Sequence, residues 1–494
     1  MADVHSRRVK APYASTSHEK PSSREWTLES LLKKGKNFAE VPRVRWSPEK
    51  STLDQIQEHE NASKGVPLVI EGLDRHENWH EDTFTLDCFE SDGTKEICVR
   101  NVHDRSDQNM LLSEFVARTH EASPFVTPGE DVRLYGKDIQ CPRKWNDWLH
   151  SANVIPSCLL PKGSNNLLKN LPPSMQVETL MCYLGIGDTF TPCHKDLCAS
   201  SGHNLMCRTE NGGSSFWFMT DTASANTVAT FFHEKLKVEL DHESHVITLA
   251  ELMNAPFKVY ITEQKLGDLV LVPPRSAHQV WNHGGLTVKT SWSRMTPDGL
   301  SLALRYELPL YRRVCRSETY RVKSIIYHTL RDLLSNEPDS STTPGSTTYV
   351  QMNTRHSSMR FETLLHVLKL FDCVLIEEYS QDPKQLLKLL PRLDKSSTIN
   401  PGDDENERGL TCDFCGSDVF QSFFECRSCV DGGKAELGHG FVTCPGCYVE
   451  GRSCRCEVME PMQCHSFDQL LQLRQRATAL IKTWKSDVPV PPTE

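Results

Sequence analysis

No run of eighteen consecutive apolar residues occurs in this chain, so no segment reads as a membrane-spanning helix. Its opening stretch, MADVHSRRVKAPYASTSHEKPSSR, has no apolar core, which argues against a secretory leader. Excess positive charge is missing as well. The net charge of −10 excludes a protein that wraps nucleic acid by bulk electrostatics and leaves only local basic patches. Internal repeats are absent. The length, 494 residues, is too great for one ordinary core and predicts two or three domains.

Cysteine is what the chain has in plenty. Of its 19 cysteines, nine crowd between Cys412 and Cys464. Without a secretory leader, metal explains that cluster better than disulfides do.

The expected organisation is set by composition and periodicity. Residues 1–25 read as disordered. Residues 26–335 mix short helices and strands and then, from 176 to 295, turn strand-rich, with turn signals such as NGG, LGD, PPR and HGG. Residues 317–335 are amphipathic and helical. A flexible linker is expected over 336–360, a helical segment over 361–393, a charged linker over 394–409, the cysteine-rich unit over 410–465 and a final helix over 466–485. The fold class is mainly β with added helices.

One short motif in the strand-rich part bears on chemistry. TFTPCHKDLC places His194 two residues before Asp196 at the end of a strand-like run. Residues i and i+2 of a strand share a face, so this pair can chelate one ion. His278, after the apolar strand DLVLVPP and a turn, supplies a third donor. Two imidazoles and one carboxylate leave three coordination positions open, the set preferred by non-haem Fe(II) oxygenases. A second His-x-acid match, HED at 80–82, is polar all round and reads as surface. His283 competes with His278 but lies in the turn NHGG.

The segments YLGIGDTFTPCHKD, ASSGHNLM and LGDLVLVPPRSAHQVWNHG, with GVPLVIEG upstream, resemble the JmjC branch of the cupin-type Fe(II)/2-oxoglutarate oxygenases over roughly residues 60–330. The resemblance implies a double-stranded β-helix (jelly-roll) core in which His194, Asp196 and His278 are both the catalytic residues and the Fe(II) ligands. It implies that Thr191, Asn204 and Thr290 line the 2-oxoglutarate site and that Tyr183 faces the substrate side. It also implies a lysine on the strand NGGSSFWFM, where this chain has Ser215. A buried carboxylate needs a cation, and Lys289 and Arg294 are the candidates. Strand alternation puts Arg294 on the side of Thr290, so Arg294 is favoured over Lys289. If neither reaches the site, the chain is expected to bind 2-oxoglutarate poorly.

CDFC, CRSC, CPGC and CRC supply eight thiols: Cys412, Cys415, Cys426, Cys429, Cys444, Cys447, Cys454 and Cys456. C-x2-C turns bring two sulfurs to one tetrahedral ion, and eight thiols make two Zn2+ sites. The order is similar to a ZZ-type cross-brace finger. That similarity implies one site from Cys412, Cys415, Cys444 and Cys447 and another from Cys426, Cys429, Cys454 and Cys456, with His439, Cys464 and His465 as alternatives. Fingers of this kind bind proteins, histone tails among them. The basic run at 305–323 reads as a solvated face, with weak nucleic-acid contact as the alternative.

The reading that results is a nuclear histone lysine demethylase that uses Fe(II), 2-oxoglutarate and zinc and engages histone tails or other chromatin proteins, with no membrane association. The alternatives are a protein hydroxylase of the same family and a catalytically inactive chromatin scaffold.

Overall fold

The structure, a computed structural model, describes residues 20–47, 50–59, 63–163, 165–335, 347–379, 409–426, 428–429, 440–456 and 458–486. In chain order the barrel strands are β1 (Phe38–Glu40), β2 (Arg43–Arg45), β3 (Leu68–Glu71), β4 (Glu96–Asn101), β5 (Asp107–Leu111), β6 (Leu134–Gln140) and β7 (Met181–Gly185). They continue with β8 (Phe190–His194), β9 (Ser201–Thr209), β10 (Ser214–Met219), β11 (Val259–Gln264), β12 (Leu269–Val272), β13 (His278–His283) and β14 (Thr287–Arg294).

Two sheets face each other, one ordered β1-β11-β10-β13-β8 and the other β2-β3-β12-β9-β14-β7-β6-β4-β5. This is a jelly-roll core with added helices. Apolar side chains fill part of the space between the sheets: Val69, Val270 and Val272 from one, Trp217, Met219 and Val280 from the other. The outer face of the larger sheet packs Leu205, Leu269, Val288 and Trp292 against Phe115, Trp145 and Trp148. Burying each such side chain contributes roughly 1.5–3 kcal/mol. That packing pins Val288 and Trp292 outward, and the period of two then turns Lys289 inward.

A second core joins the barrel to the C-terminal part of the chain. Helices α1 (Val322–Ser335), α2 (Thr347–Tyr379) and α3 (Phe467–Ser486) bury Ile325, Ile326, Leu330, Leu364, Phe371, Leu470 and Ala477 together. Phe420, from the cysteine-rich unit, belongs to the same cluster. Beyond α2 lies a small sheet of β15 (Ser422–Cys426), β16 (Phe441–Thr443) and β17 (Glu460–Gln463), ordered β16-β15-β17.

Several boundaries differ from expectation. Helix α2 begins at Thr347, inside the stretch read as linker through residue 360. Ser22 and Ser23, expected to be disordered, are tied to the barrel because both hydroxyls donate to the buried Asp188 carboxylate, at 2.7 and 2.8 Å. The rest of the expected helical segment, 380–393, and the linker over 394–408 lie outside the described residues.

Candidate metal centre

His194 and His278 pair directly across β8 and β13. Between Thr191 and His194 the register slips, so that three steps along β8 match two along β13. This bulge turns both Thr191 and His194 into the barrel. Asp196 sits beyond the strand end, extended (φ −61°, ψ 147°), at the start of the short turn Leu197–Ala199. It therefore reaches the histidines from a turn, not from the strand face first expected. Gly202 makes room for it, since a Cβ there would lie 2.2 Å from Asp196 Oδ2.

The donor atoms of His194, Asp196 and His278 all lie within 4.8 Å of one another. Each imidazole has its Nδ1 against a backbone carbonyl: His194 against Pro192 at 2.9 Å, His278 against Ser276 at 3.1 Å. That contact holds the proton on Nδ1 and leaves Nε2 as a free lone pair for a metal. Burial pushes the His278 pKa down to about 4 and lowers that of His194, so both rings are neutral at physiological pH. Burial raises Asp196 to about 6. Its Oδ2 is buried without a hydrogen-bond partner. An orphaned buried carboxylate oxygen costs about 1–3 kcal/mol, and a divalent cation at this point would offset that cost. The residues present fit a metal with a two-His, one-carboxylate donor set.

The barrel interior also holds a polar set. Lys289, 1% exposed, donates from Nζ to Asn282 Oδ1 at 2.6 Å. Ser215 donates to the same oxygen at 2.8 Å. Gly185 admits the Asn282 amide, which a Cβ would meet at 2.4 Å. Thr191 donates to the Tyr135 hydroxyl at 3.4 Å, and Tyr135 stacks on Tyr183. Asn204 Oδ1 accepts from Gln264 at 3.1 Å. The Tyr183 hydroxyl donates to the exposed Asp138 at 3.0 Å.

Residues 181–293 match the family described as JmjC domain, hydroxylase. The chain carries a JmjC domain. The match agrees with the jelly-roll core and with the two-His, one-carboxylate triad. Across 421 residues the chain is also 30% identical to C-module-binding factor A of Dictyostelium discoideum. That alignment covers 82% of this chain but only 39% of the relative, so the chain spans well under half of that protein's length.

Within the JmjC domain, two co-substrate assignments are corrected. Thr290 and Arg294 do share a face of β14, as alternation requires, but it is the outer face. Thr290 lies against Cys141 Sγ at 3.7 Å and Met181 O at 3.4 Å. Arg294, fully buried, neighbours His203 on that side, whose pKa is lowered by burial first and by this guanidinium second. Lys289 is the cation that enters the barrel. Its ammonium occupies the neighbourhood of Ser215, the position where the family's lysine was expected. Asn282 and Tyr135 escaped the sequence reading, although the alternation His278, Val280, Asn282 on β13 points to the first of them. His283 faces outward against Phe125 and Phe216 and takes no part in the triad.

The cysteines gather as the finger resemblance implies. Cys412, Cys415, Cys444 and Cys447 form one buried group, and Cys426, Cys429, Cys454 and Cys456 a second, more exposed one. Close approaches include 3.8 Å between the Cys415 and Cys444 sulfurs and 3.4 Å between those of Cys429 and Cys456. Four sulfurs at these separations fit a tetrahedral thiolate site. Cys464 contacts Val419 O, and His465 packs on Tyr327, so neither joins a group. His439 lies outside the described residues.

The basic run at 305–323 is largely consumed internally. Arg313 pairs with Glu239, Arg316 with Asp241 and Arg321 with Asp418. Among the described residues no helix is long and apolar enough to cross a membrane.

Proposed function

We propose that this protein is an Fe(II)- and 2-oxoglutarate-dependent oxygenase that demethylates N-methyl-lysine on histone tails in the nucleus. The observation that carries the reading is Lys289. A buried ammonium that faces the same barrel interior as a two-His, one-carboxylate triad is costly to maintain, and a dicarboxylate co-substrate would offset that cost. Fe(II) bound at His194, Asp196 and His278 would supply the oxidation of a C–H bond with O2 and 2-oxoglutarate.

The chain's own residues would do the rest. Lys289, held by Asn282, would neutralise the far carboxylate of 2-oxoglutarate, and the hydroxyls of Thr191 and Tyr135 and the Asn204 amide would orient it. Tyr183 and Asp138 would face the substrate, offering a methylammonium an aromatic surface and a carboxylate. The two cysteine groups would bind zinc and present the finger to chromatin proteins. The relative's name, a module-binding factor, supports binding to a protein or nucleic-acid partner.

Turnover tests the proposal. Purified protein with Fe(II), ascorbate, 2-oxoglutarate and methylated histone peptides is expected to release succinate and formaldehyde, and His194→Ala to release neither. Succinate without formaldehyde on any peptide would make the protein a hydroxylase of the same family. Absence of both, with no 2-oxoglutarate binding, would leave the chromatin scaffold.

A further inference from the structure

Lys195 stands between two residues of the triad, yet its ammonium is engaged elsewhere. It is 3% exposed, and it lies 2.7 Å from Glu307 Oε2 and 3.2 Å from Asp241 Oδ1. Glu307 also takes Arg275, at 2.8 Å. Asp241 Oδ1 also takes Arg316 Nη1, at 2.9 Å, while the other arm of Arg316 reaches Glu243. The Arg316 guanidinium lies 4.8 Å over the ring of Tyr311, and the Tyr311 hydroxyl accepts from the Cys198 amide at 2.9 Å. Asp196 is thus held from both sides by groups that converge on Arg316, through Asp241 and Lys195 on one side and through Tyr311 and Cys198 on the other. The turn needs holding: Cys198 and Ala199, neither a glycine, both have left-handed backbone (φ 53° and 54°). Such conformations persist only where the surroundings over-determine them.

The loop that carries Arg316 is also the seat of the finger. Glu318 N donates to Gly416 O at 2.9 Å, and Asp418 N donates to Glu318 Oε2 at 3.1 Å. Arg321 clamps Asp418 Oδ1 at 2.6 Å and the carbonyls of Leu410 and Gly409 at 3.1 and 3.0 Å. Gly416, beside Cys415, sits so close to Ser317 that a Cβ would meet its Cα at 2.9 Å. The first cysteine group and the triad therefore meet on opposite ends of one short loop.

We infer that Arg316 is a positioning residue through which the first cysteine group braces the segment bearing His194 and Asp196. The inference rests on the reading of the triad as a metal site. The brace acts through geometry and not through field, and the two have opposite signs. Removing Arg316 deletes a positive charge and frees the Glu243 carboxylate, so field alone would tighten cation binding. Losing the brace weakens it.

Mn2+ binding to the zinc-loaded 494-residue chain separates them, read by the electron paramagnetic resonance of free Mn2+. Hard Mn2+ takes imidazole and carboxylate and leaves the thiolate sites to zinc. Arg316→Gln is expected to weaken Mn2+ by roughly tenfold, the scale of outer-shell effects on metal affinity, and Arg316→Lys to restore most of it. Arg321→Gln, at the finger end, is expected to shift affinity in the same direction with both zinc ions retained, and it carries the test if Arg316→Gln does not fold. Unchanged or tighter Mn2+ binding in these variants overturns the brace. Wild-type protein that takes up no Mn2+, or His194→Ala that binds it as tightly, overturns the metal-site reading and the brace together.

Discussion

Replacing Lys289 with methionine is expected to stabilise the protein and at the same time sharply weaken 2-oxoglutarate binding. Burial pulls the Lys289 ammonium from its ordinary value of 10.5 down to about 7. At 1.36 kcal/mol per pH unit, that fall corresponds to about 5 kcal/mol held against the charged form. Methionine removes this cost at similar volume. It also forfeits the bond to Asn282, a charge-assisted hydrogen bond of roughly 1.5–3 kcal/mol. Asn282 Oδ1 is not orphaned, because Ser215 and Thr287 still donate to it at 2.8 and 3.3 Å. A net gain of about 2 kcal/mol remains, read as a melting temperature several degrees higher.

Linkage gives the sign of the pH dependence. The folded value lies below the unfolded one, so between about pH 7 and 10.5 the unfolded chain binds more protons and stability rises with pH. The penalty of wild-type Lys289 is complete below about pH 7 and relieved toward 10.5. The advantage of the methionine variant should accordingly be larger at pH 6.5 than at pH 9.5. Co-substrate binding moves the other way. A buried carboxylate without its cation costs about 3–5 kcal/mol, a loss of some hundreds- to thousands-fold in affinity. Thermal melts at the two pH values, with calorimetric titration of 2-oxoglutarate into the Mn2+-loaded protein, check both halves. A variant that melts lower at pH 6.5, or binds 2-oxoglutarate within threefold of wild type, would refute the reasoning.

Arg294→Met should leave 2-oxoglutarate affinity within threefold of wild type, because the guanidinium lies on the outer face of β14. A large loss in the same titration would return Arg294 to the co-substrate site. Removing zinc should loosen more than the finger, since Phe420 belongs to the core shared by α1, α2 and α3 and Tyr327 of α1 packs on Phe420 and His465. Hydrogen exchange after chelation is expected to rise in residues 322–335 and 467–486 as well as in 409–465. Protection lost only in the latter range would mean that the finger unfolds alone.

The candidate metal donors were legible where the motif is local or the donor type is rare. His194, Asp196 and His278 stand out because one His-x-Asp motif and one histidine after a buried strand suffice to suggest a chelate. The cysteine groups stand out because paired thiols at two-residue spacing have few other uses. Strand alternation was also readable: Lys289 and Arg294 had to point to opposite faces. Which face is the interior was not. That depends on Trp292 and Val288 finding Trp145, Trp148 and Phe115, far away in the chain, and only the assembled sheet shows where those aromatic residues pack.

Composition and spacing thus pointed by themselves to a mainly β fold with added helices, to the candidate metal donors and to two groups of four cysteines, because strand alternation, the His-x-Asp pair and the paired thiols are written in short-range pattern. Tertiary structure alone decided three things. It turned Lys289 inward and Arg294 outward, it let a bulge in β8 aim Thr191 and His194 together, and it seated the finger on the loop that reaches the triad through Arg316. Each of these joins residues distant in sequence, and no local pattern carries information about a partner that only folding brings near.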